Sequence, residues 1–216
     1  GFILPIIVIS IKEFFNTKII TKKDITKLLD YPIIGNVLEA SNSEHKLIVI
    51  EKPKAAISES FRSIRTNIQY LASEEKSKVI TVTSSISGEG KTYCALNLGT
   101  VLSQAGEKVL LIDGDMRKPK IAKALNLKDK NGLSNFLIND ATIKNIIIKT
   151  KVNNLDVIIA GPVPPNPSEL LSKEILLKLI KEAKKKYDYI IFDTPPVGLV
   201  TDGLILMKNA DIKLCI

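Results

Sequence analysis

The sequence contains little cysteine and almost no histidine. Cys94 and Cys215 are its two cysteines, and His45 is its single histidine. This number of cysteines excludes a disulfide framework and fits a reducing compartment. The two cysteines also lack the spacing of a metal site, and a lone histidine in a polar stretch argues against histidine-based catalysis. Any catalytic chemistry must therefore come from other residue types.

The apolar start of the chain is too short to cross a membrane. Residues 1–11, GFILPIIVISI, carry no charge, but a spanning helix needs about 20 apolar residues. Lysines follow, as they do where a transmembrane helix leaves on the cytoplasmic side; they are Lys12, Lys18, Lys22, Lys23 and Lys27. We therefore expect residues 1–11 to be the end of a transmembrane helix and residues 12–51 to be a juxtamembrane linker. An ordinary buried segment is the alternative for residues 1–11.

The two ends and the net charge carry further expectations. The chain starts at Gly1 rather than Met and stops inside DIKLCI, which predicts a buried strand. We therefore expect it to be cut at both ends from a longer protein. The formal net charge of +8 suits nucleic acid, anionic lipid or an acidic partner, and alone it does not choose among them.

Strands and helices alternate from about residue 52 to residue 216. Four short runs rich in β-branched residues predict strands buried on both faces; they are VITVT, VLLID, LDVIIAG and YIIFD. Helical segments begin near Lys91, Gly132 and Pro167, and AAISESFRSIRTNIQYLA has apolar residues three and four apart. This alternation predicts an α/β fold with a mostly parallel central sheet and helices on both faces.

The segment SSISGEGKT, which ends at Thr92, lies between a predicted strand and a predicted helix. This is the context that a P-loop requires. Gly88 and Gly90 let backbone N–H groups wrap around phosphate oxygens, and the following helix adds its positive end. Lys91 would reach the β and γ phosphates, and the Thr92 hydroxyl would bind Mg²⁺. Ser85 stands where a strict P-loop has glycine.

Acidic residues follow two of the predicted strands. VLLIDGDMR contains Asp113, Asp115 and Arg117, and YIIFDTPP contains Asp193. The carboxyl ends of parallel strands form the edge where ligands bind in open α/β sheets. One carboxylate can bind Mg²⁺, another can support it, and a third can orient or deprotonate an attacking hydroxyl. The residues leave open which aspartate takes which role.

Together these motifs resemble the bacterial tyrosine kinase family, the cytoplasmic domains of polysaccharide co-polymerases. That family combines a P-loop with an apolar-apolar-apolar-D-x-D-x-R motif and an apolar-apolar-apolar-D-x-x-P motif, which LLIDGDMR and IIFDTPP match. Glu59, Arg62 and Arg65 match its E-x-x-R-x-x-R helix. GPVPPNPSELL is similar to a segment that precedes a helix in these kinases. The resemblance covers essentially the whole chain.

The resemblance implies a membrane-anchored, ATP-dependent protein-tyrosine kinase with a P-loop NTPase fold of the deviant Walker A type, in residues 52–216. It would transfer the γ-phosphoryl group of Mg-ATP to tyrosines in the C-terminal tail of a neighbouring subunit, a tail that this sequence lacks. Glu59, Arg62 and Arg65 would mediate ring assembly. The kinase would regulate exopolysaccharide or capsule polymerisation and export from the cytoplasmic side of the cell membrane, anchored by a helix that ends near Ile11. No nucleic-acid partner is implied.

The motifs and the resemblance together assign the site. The expected catalytic residues are Lys91, Asp113, Asp115 and Asp193. The expected Mg²⁺ ligands are Thr92, Asp113 and Asp193. The expected nucleotide-binding residues are Ser87, Gly88, Glu89, Gly90, Lys91, Thr92, Tyr93 and Arg117. Asp115, or Asp113 in a second role, would accept the tyrosine proton.

Two other functions remain open at this point. Partitioning and division-site ATPases share the fold, and such a protein would be an assembly switch without kinase activity. Their signature adds a lysine five positions before the P-loop lysine, where this chain has Ile86, which cannot supply a charge across a dimer. A co-polymerase domain that binds nucleotide without turnover is the second alternative. The absence of an N-K-x-D motif favours adenine over guanine.

Overall fold

A six-stranded sheet forms the centre of the fold in the computed structural model, which describes residues 30–38, 46–71, 77–128 and 131–216. Its strands are β1 (Lys78–Thr83), β2 (Val109–Asp113), β3 (Ile148–Lys149), β4 (Leu155–Ile158), β5 (Tyr189–Asp193) and β6 (Ile212–Cys215). The strand order is β3-β4-β2-β5-β1-β6. All neighbouring strands are parallel except β3, which is antiparallel to β4. The predicted mostly parallel sheet is confirmed.

The burial of the strands follows from their position in the sheet. The strands β1, β2, β4 and β5 are buried along their whole length, as their continuous apolar runs predict. The prediction of a buried last strand is wrong in its burial. β6 pairs only with β1 and alternates between partly buried and exposed residues, because it lies at the edge of the sheet.

Helices occupy most of the connections between the strands. They are α1 (Ile48–Glu51), α2 (Ala56–Leu71), α3 (Lys91–Gln104), α4 (Ile121–Ala124), α5 (Leu133–Leu137), α6 (Ile143–Ile146), α7 (Pro167–Leu171), α8 (Glu174–Lys184) and α9 (Asp202–Lys208). The predicted helix starts near Lys91, Gly132 and Pro167 are confirmed. Pro167 is the first residue of α7, but Asn166 bonds the Glu169 side chain at 2.6 Å instead of capping the helix backbone.

Helices cover both faces of the sheet, because successive residues of a strand point to opposite faces. Ile190 and Phe192 of β5 belong to one hydrophobic cluster with leucines of α5, α7, α8 and α9. Ile191 points to the other face, where it lies beside Gly99 of α3. On that face α2 packs on α3 through a buried stripe formed by Ile57, Phe61, Ile64 and Ile68. The amphipathic helix predicted from the spacing of these residues is confirmed.

The segment that precedes α2 is joined to α3 by a buried asparagine. Asn97 is fully buried; its Oδ1 accepts the Val49 N–H at 3.3 Å, and its Nδ2 donates to the Lys46 carbonyl at 3.0 Å. A buried polar side chain is stable only when it is bonded in this way. Residues 46–51, within the linker predicted for residues 12–51, are therefore held on the helix that begins at Lys91.

The chain divides into two units, residues 1–36 and residues 37–216, and the second contains the sheet. Residues 1–11, for which we expect a transmembrane helix, lie outside the described residues. Within the described part of the chain, no helix combines the length and apolar character needed to cross a membrane.

Candidate functional site

The P-loop connects the end of β1 to the start of α3. Ser87, Gly88 and Glu89 form its exposed tip. Gly88 has φ of 95° and Gly90 has φ of 98°, a backbone conformation that side chains disfavour and glycine adopts freely. No atom lies within 4 Å of the Cβ position of either glycine. The turn thus presents backbone rather than side chains beside the start of a 14-residue helix, as an anion-binding loop requires.

Lys91 lies inside the P-loop and not at the surface. Its side chain is buried, and its ammonium group donates to Ser84 Oγ at 2.7 Å and to the Ile86 carbonyl at 3.1 Å. The lysine therefore holds the loop from within, with its charge at the loop's centre. Ile86 contributes this carbonyl while its side chain is 58% exposed.

Two buried aspartates lie side by side at the end of the sheet. Asp113 ends β2 and Asp193 ends β5, and the two are register partners across these strands. Thr92 donates its hydroxyl to Asp193 Oδ2 at 2.6 Å. Asp113 Oδ2 accepts the backbone N–H groups of Lys120 at 3.2 Å and Ile121 at 3.0 Å. The Oδ1 atoms of both aspartates are buried and have no hydrogen-bond partner.

The electrostatics of this pair are unfavourable without a cation. Burial raises the pKa of Asp113, and the nearby Asp193 charge raises it further against the Ile121 N–H bond. Burial likewise raises the pKa of Asp193, although the Thr92 hydroxyl opposes the shift. Two carboxyl groups with unpaired oxygens in a buried position are the arrangement that a bound cation would relieve.

The residues fit Mg²⁺ better than they fit a softer metal. Carboxylate and hydroxyl oxygens are hard ligands, and Mg²⁺ is commonly held by one or two carboxylates together with phosphates and water. Among the described residues there is no group of three or more histidine, cysteine or acidic side chains that could hold a metal by themselves. Asp113, Asp193 and Thr92 would therefore share such an ion with a nucleotide.

The loop after β2 contains a network that sequence reasoning missed. Asp115 Oδ1 accepts the N–H groups of Arg117 and Lys118, which closes a turn. The Arg117 guanidinium bonds Asp202 of α9, with Nε 2.8 Å from Oδ2, and it also contacts Ser168 of α7. Asp202 is fully buried. The signal for Ser168 was the NPSE stretch, which is equally typical of an ordinary helix start.

A loop after β5 lies directly on the P-loop. The Val197 N–H donates to the Ser84 carbonyl at 2.9 Å. Gly198 approaches so closely that a Cβ there would overlap the Ser85 carbonyl oxygen. Glycine is therefore required at this position for the two loops to meet.

The Gly198→Ala substitution is expected to weaken nucleotide binding at least about tenfold, because it separates two loops whose positions must hold to about 1 Å. Isothermal titration with Mg-ADP measures the change. Gly99→Ala is the matched control: its Cβ would meet side-chain atoms at 3.4 Å or more, and alanine favours the helix by about 1 kcal/mol. Equal affinities for the two variants would contradict the expected role of Gly198.

The predicted interface residues lie on α2, away from its buried stripe. Arg62 forms an ion pair with Glu59 and donates to the Pro53 carbonyl at 2.8 Å. Arg65 has a buried Nε atom without a hydrogen-bond partner. Tyr93, predicted to bind nucleotide, packs its ring edge-on against Phe61 of α2 at 5.9 Å between ring centroids. Its side chain therefore joins α2 to α3.

Comparison with known proteins gives consistent results. The AAA domain family matches residues 77–213. Tyrosine-protein kinase YwqD of Bacillus subtilis (strain 168) is 41% identical over 171 residues, which cover 79% of this chain and 72% of that protein. The crystal structure of the chimerical protein CapA2B2 is 40% identical with a TM-score of 0.83, covering 90% of this chain and 84% of that one.

A more distant likeness concerns the fold and the kind of ligand. The septum site-determining protein MinD from Pyrococcus horikoshii OT3, solved in complex with Mg-ADP, is 29% identical with a TM-score of 0.57. The match covers 65% of this chain and 57% of that one. It supports the P-loop NTPase fold and a nucleotide with Mg²⁺ as the ligand. It does not support the assembly-switch alternative.

Proposed function

This chain belongs to the bacterial tyrosine-protein kinases, within the AAA domain family, and from that membership we propose that it transfers the γ-phosphoryl group of Mg-ATP to tyrosines of a neighbouring subunit. The tyrosine-protein kinases among its relatives support the reaction. One observation supports the location of the site. The P-loop residue Thr92 bonds Asp193, and Asp193 is the register partner of Asp113, with an unpaired oxygen on each aspartate.

The P-loop would hold the phosphates. Backbone N–H groups from Ser87 to Tyr93 would contact the phosphate oxygens, and the Lys91 ammonium would exchange its bonds to Ser84 and Ile86 for bonds to the transferring phosphoryl group. Mg²⁺, when bound, would neutralise charge on the phosphates, with Thr92, Asp113 and Asp193 as its protein ligands. Phosphoryl transfer depends mainly on such positioning and charge stabilisation.

The acceptor must lose its phenol proton as its oxygen attacks. The phenol oxygen bonds the γ phosphorus, the bond from that phosphorus to the ADP oxygen breaks, and the proton passes to a carboxylate. We assign this role to Asp115, because its side chain is partly exposed. Asp113 is fully buried and already accepts two backbone N–H groups.

Self-association would bring one subunit's tyrosines to another's site. We propose that Glu59, Arg62 and Arg65 of α2 form the contact between subunits of a ring. The buried Arg65 Nε without a partner supports this role, since such a group gains a hydrogen bond when a second chain supplies an acceptor. The attachment of residues 1–11 to the cytoplasmic side of the cell membrane, and an action on exopolysaccharide or capsule assembly, belong to the same proposal.

The test is phosphotyrosine formation with Mg-ATP and a random copolymer of glutamate and tyrosine. We expect phosphate on the copolymer in proportion to the ADP released, and none when Mg²⁺ is chelated. ADP release without phosphotyrosine would reject the kinase and leave a nucleotide-dependent assembly switch.

The same incubation tests which tyrosines of the chain itself can react. Tyr31 and Tyr70 are 75% and 86% exposed. The Tyr187 hydroxyl donates to Asp156 at 2.7 Å, Tyr189 is buried, and the Tyr93 hydroxyl is buried without a partner. Peptide mass spectrometry should therefore find phosphate on this sequence only at Tyr31 and Tyr70. Phosphate at Tyr187 or Tyr189 would mean that the fold opens during the reaction.

A further inference from the structure

A buried aspartate outside the predicted site anchors the loop that follows β2. Asp202 is the first residue of α9 and is fully buried. Arg117 donates from Nε to its Oδ2 at 2.8 Å and from Nη2 to its Oδ1 at 3.3 Å. The Ser168 hydroxyl donates to Oδ1 and accepts from Arg117 Nη2 at 3.2 Å. Three connected groups from separate elements thus form one network around this carboxylate.

This contact is maintained at a cost that calls for an explanation. Burial alone would raise the pKa of Asp202, but the hydrogen bonds from Arg117 and Ser168 outweigh it and hold that pKa below its ordinary value. Ion pairs of this kind often contribute little net stability, because both charges lose water. A role beyond stability is therefore reasonable, and the position of Arg117 in the chain indicates what that role is.

The loop that Arg117 anchors begins and ends at Asp113. It leaves β2 after Asp113, turns at Asp115, and returns so that the N–H groups of Lys120 and Ile121 both bond Asp113 Oδ2. These bonds fix the rotation of the Asp113 carboxylate and leave its Oδ1 atom as the unpaired oxygen. The orientation of Asp113 therefore depends on where the loop is held.

We infer that Asp202 is a positioning residue: through Arg117 it holds the 114–120 loop so that the Lys120 and Ile121 amides orient Asp113 toward the metal. Ser168 joins α7 to the same anchor. This inference rests on the proposed Mg-nucleotide site. It assigns Arg117 to the support of Asp113, whereas the sequence suggested that Arg117 binds the nucleotide itself.

The chain offers a matched control for an ordinary buried ion pair. Asp156 in β4 is also buried, and it also accepts from one cation and one hydroxyl, namely Lys149 at 2.9 Å and Tyr187 at 2.7 Å. It lies near the amino end of its strand, whereas Asp113 and Asp193 end theirs. Asp202→Asn and Asp156→Asn therefore make the same chemical change at two ends of the sheet.

The experiment measures metal binding without turnover. Mn²⁺ replaces Mg²⁺ as the probe, and its free concentration is followed by electron paramagnetic resonance in the presence of saturating ADP. Hydrogen exchange of the Lys120 and Ile121 amides is followed on the same samples. For Asp202→Asn we expect Mn²⁺ affinity to fall about tenfold, the usual effect of removing a group that orients a metal ligand, and both amides to exchange faster. For Asp156→Asn we expect neither change, even where thermal stability falls.

Ser168→Ala provides a milder variant that keeps the charges intact. It removes one hydroxyl from the network, so we expect a smaller loss of Mn²⁺ affinity in the same direction. Equal Mn²⁺ affinity in the parent and in both Asp202→Asn and Ser168→Ala would overturn the inference, as would equal losses in Asp202→Asn and Asp156→Asn. If the parent itself binds no Mn²⁺ with ADP, the proposed metal site fails, and this inference fails with it. Phosphotyrosine formation in the parent distinguishes the two failures.

Discussion

Asp193→Asn is expected to lower phosphoryl transfer by about 10²–10³-fold while making the Mg²⁺-free protein more stable. The activity falls because the amide cannot supply the negative charge that the metal site needs, a loss comparable to removing one strong electrostatic contact to a transition state. The carbonyl oxygen of the new amide can still accept the Thr92 hydroxyl, so the P-loop keeps its contact with β5. Single-turnover transfer from ATP to a tyrosine copolymer measures the loss.

The gain in stability follows from the two buried carboxyl groups. Because the pKa of each is raised, the folded chain holds protons that the unfolded chain releases, and stability falls as the pH rises from about 4 to about 8. Removing one carboxylate weakens that dependence, at about 1.4 kcal/mol per pKa unit. Urea unfolding at pH 5 and pH 8, with and without Mg²⁺ and ADP, tests it. A variant less stable than the parent at pH 8 without metal would contradict the argument.

Lys91→Met is expected to abolish detectable phosphotyrosine, with a loss of at least about 10³-fold in transfer rate. Methionine has nearly the length of lysine but no charge, so it can fill the buried position while losing the bonds to Ser84 Oγ and the Ile86 carbonyl. The free energy of unfolding should change by only about 1–2 kcal/mol, because a buried charge is replaced by an apolar group. Transfer rate and thermal unfolding are measured on the same preparation.

Lys178→Met is the matched control for this variant. Lys178 is an exposed residue of α8, so its substitution should leave both transfer and unfolding unchanged. Retention of more than about a tenth of the parent's transfer rate by Lys91→Met would remove the P-loop lysine from the mechanism that we propose.

The fold was predictable where local pattern and sheet position agree. The runs that form β1, β2, β4 and β5 are continuous and β-branched, and they are the strands that the sheet buries. β3 has only two residues, which is too short for any periodicity to show. The last strand was found but its burial was misjudged, because the apolar letters of DIKLCI do not reveal that β6 has a neighbour on one side only.

The site was predictable where one short motif carries both the residue and its place. Lys91 and Thr92 follow from the P-loop, and Asp113 and Asp193 follow from their strands. The sequence could not show that these two aspartates are register partners, because that depends on strand order. Asp202 was missed because its bond to Arg117 spans 85 residues, and no local spacing records such a distance. An aspartate at a helix start also has an ordinary explanation in the helix dipole.

The strand order has a consequence for the synthesis of the protein. β1, which leads into the P-loop, has β5 and β6 as its two neighbours, and Thr92 meets Asp193 across 101 residues of chain. A ribosome therefore releases the P-loop long before it makes the strands that flank it, and contacts of such long range form slowly. The nucleotide site would be among the last parts of the domain to be completed, so that nascent chains cannot consume ATP before the sheet has closed around it.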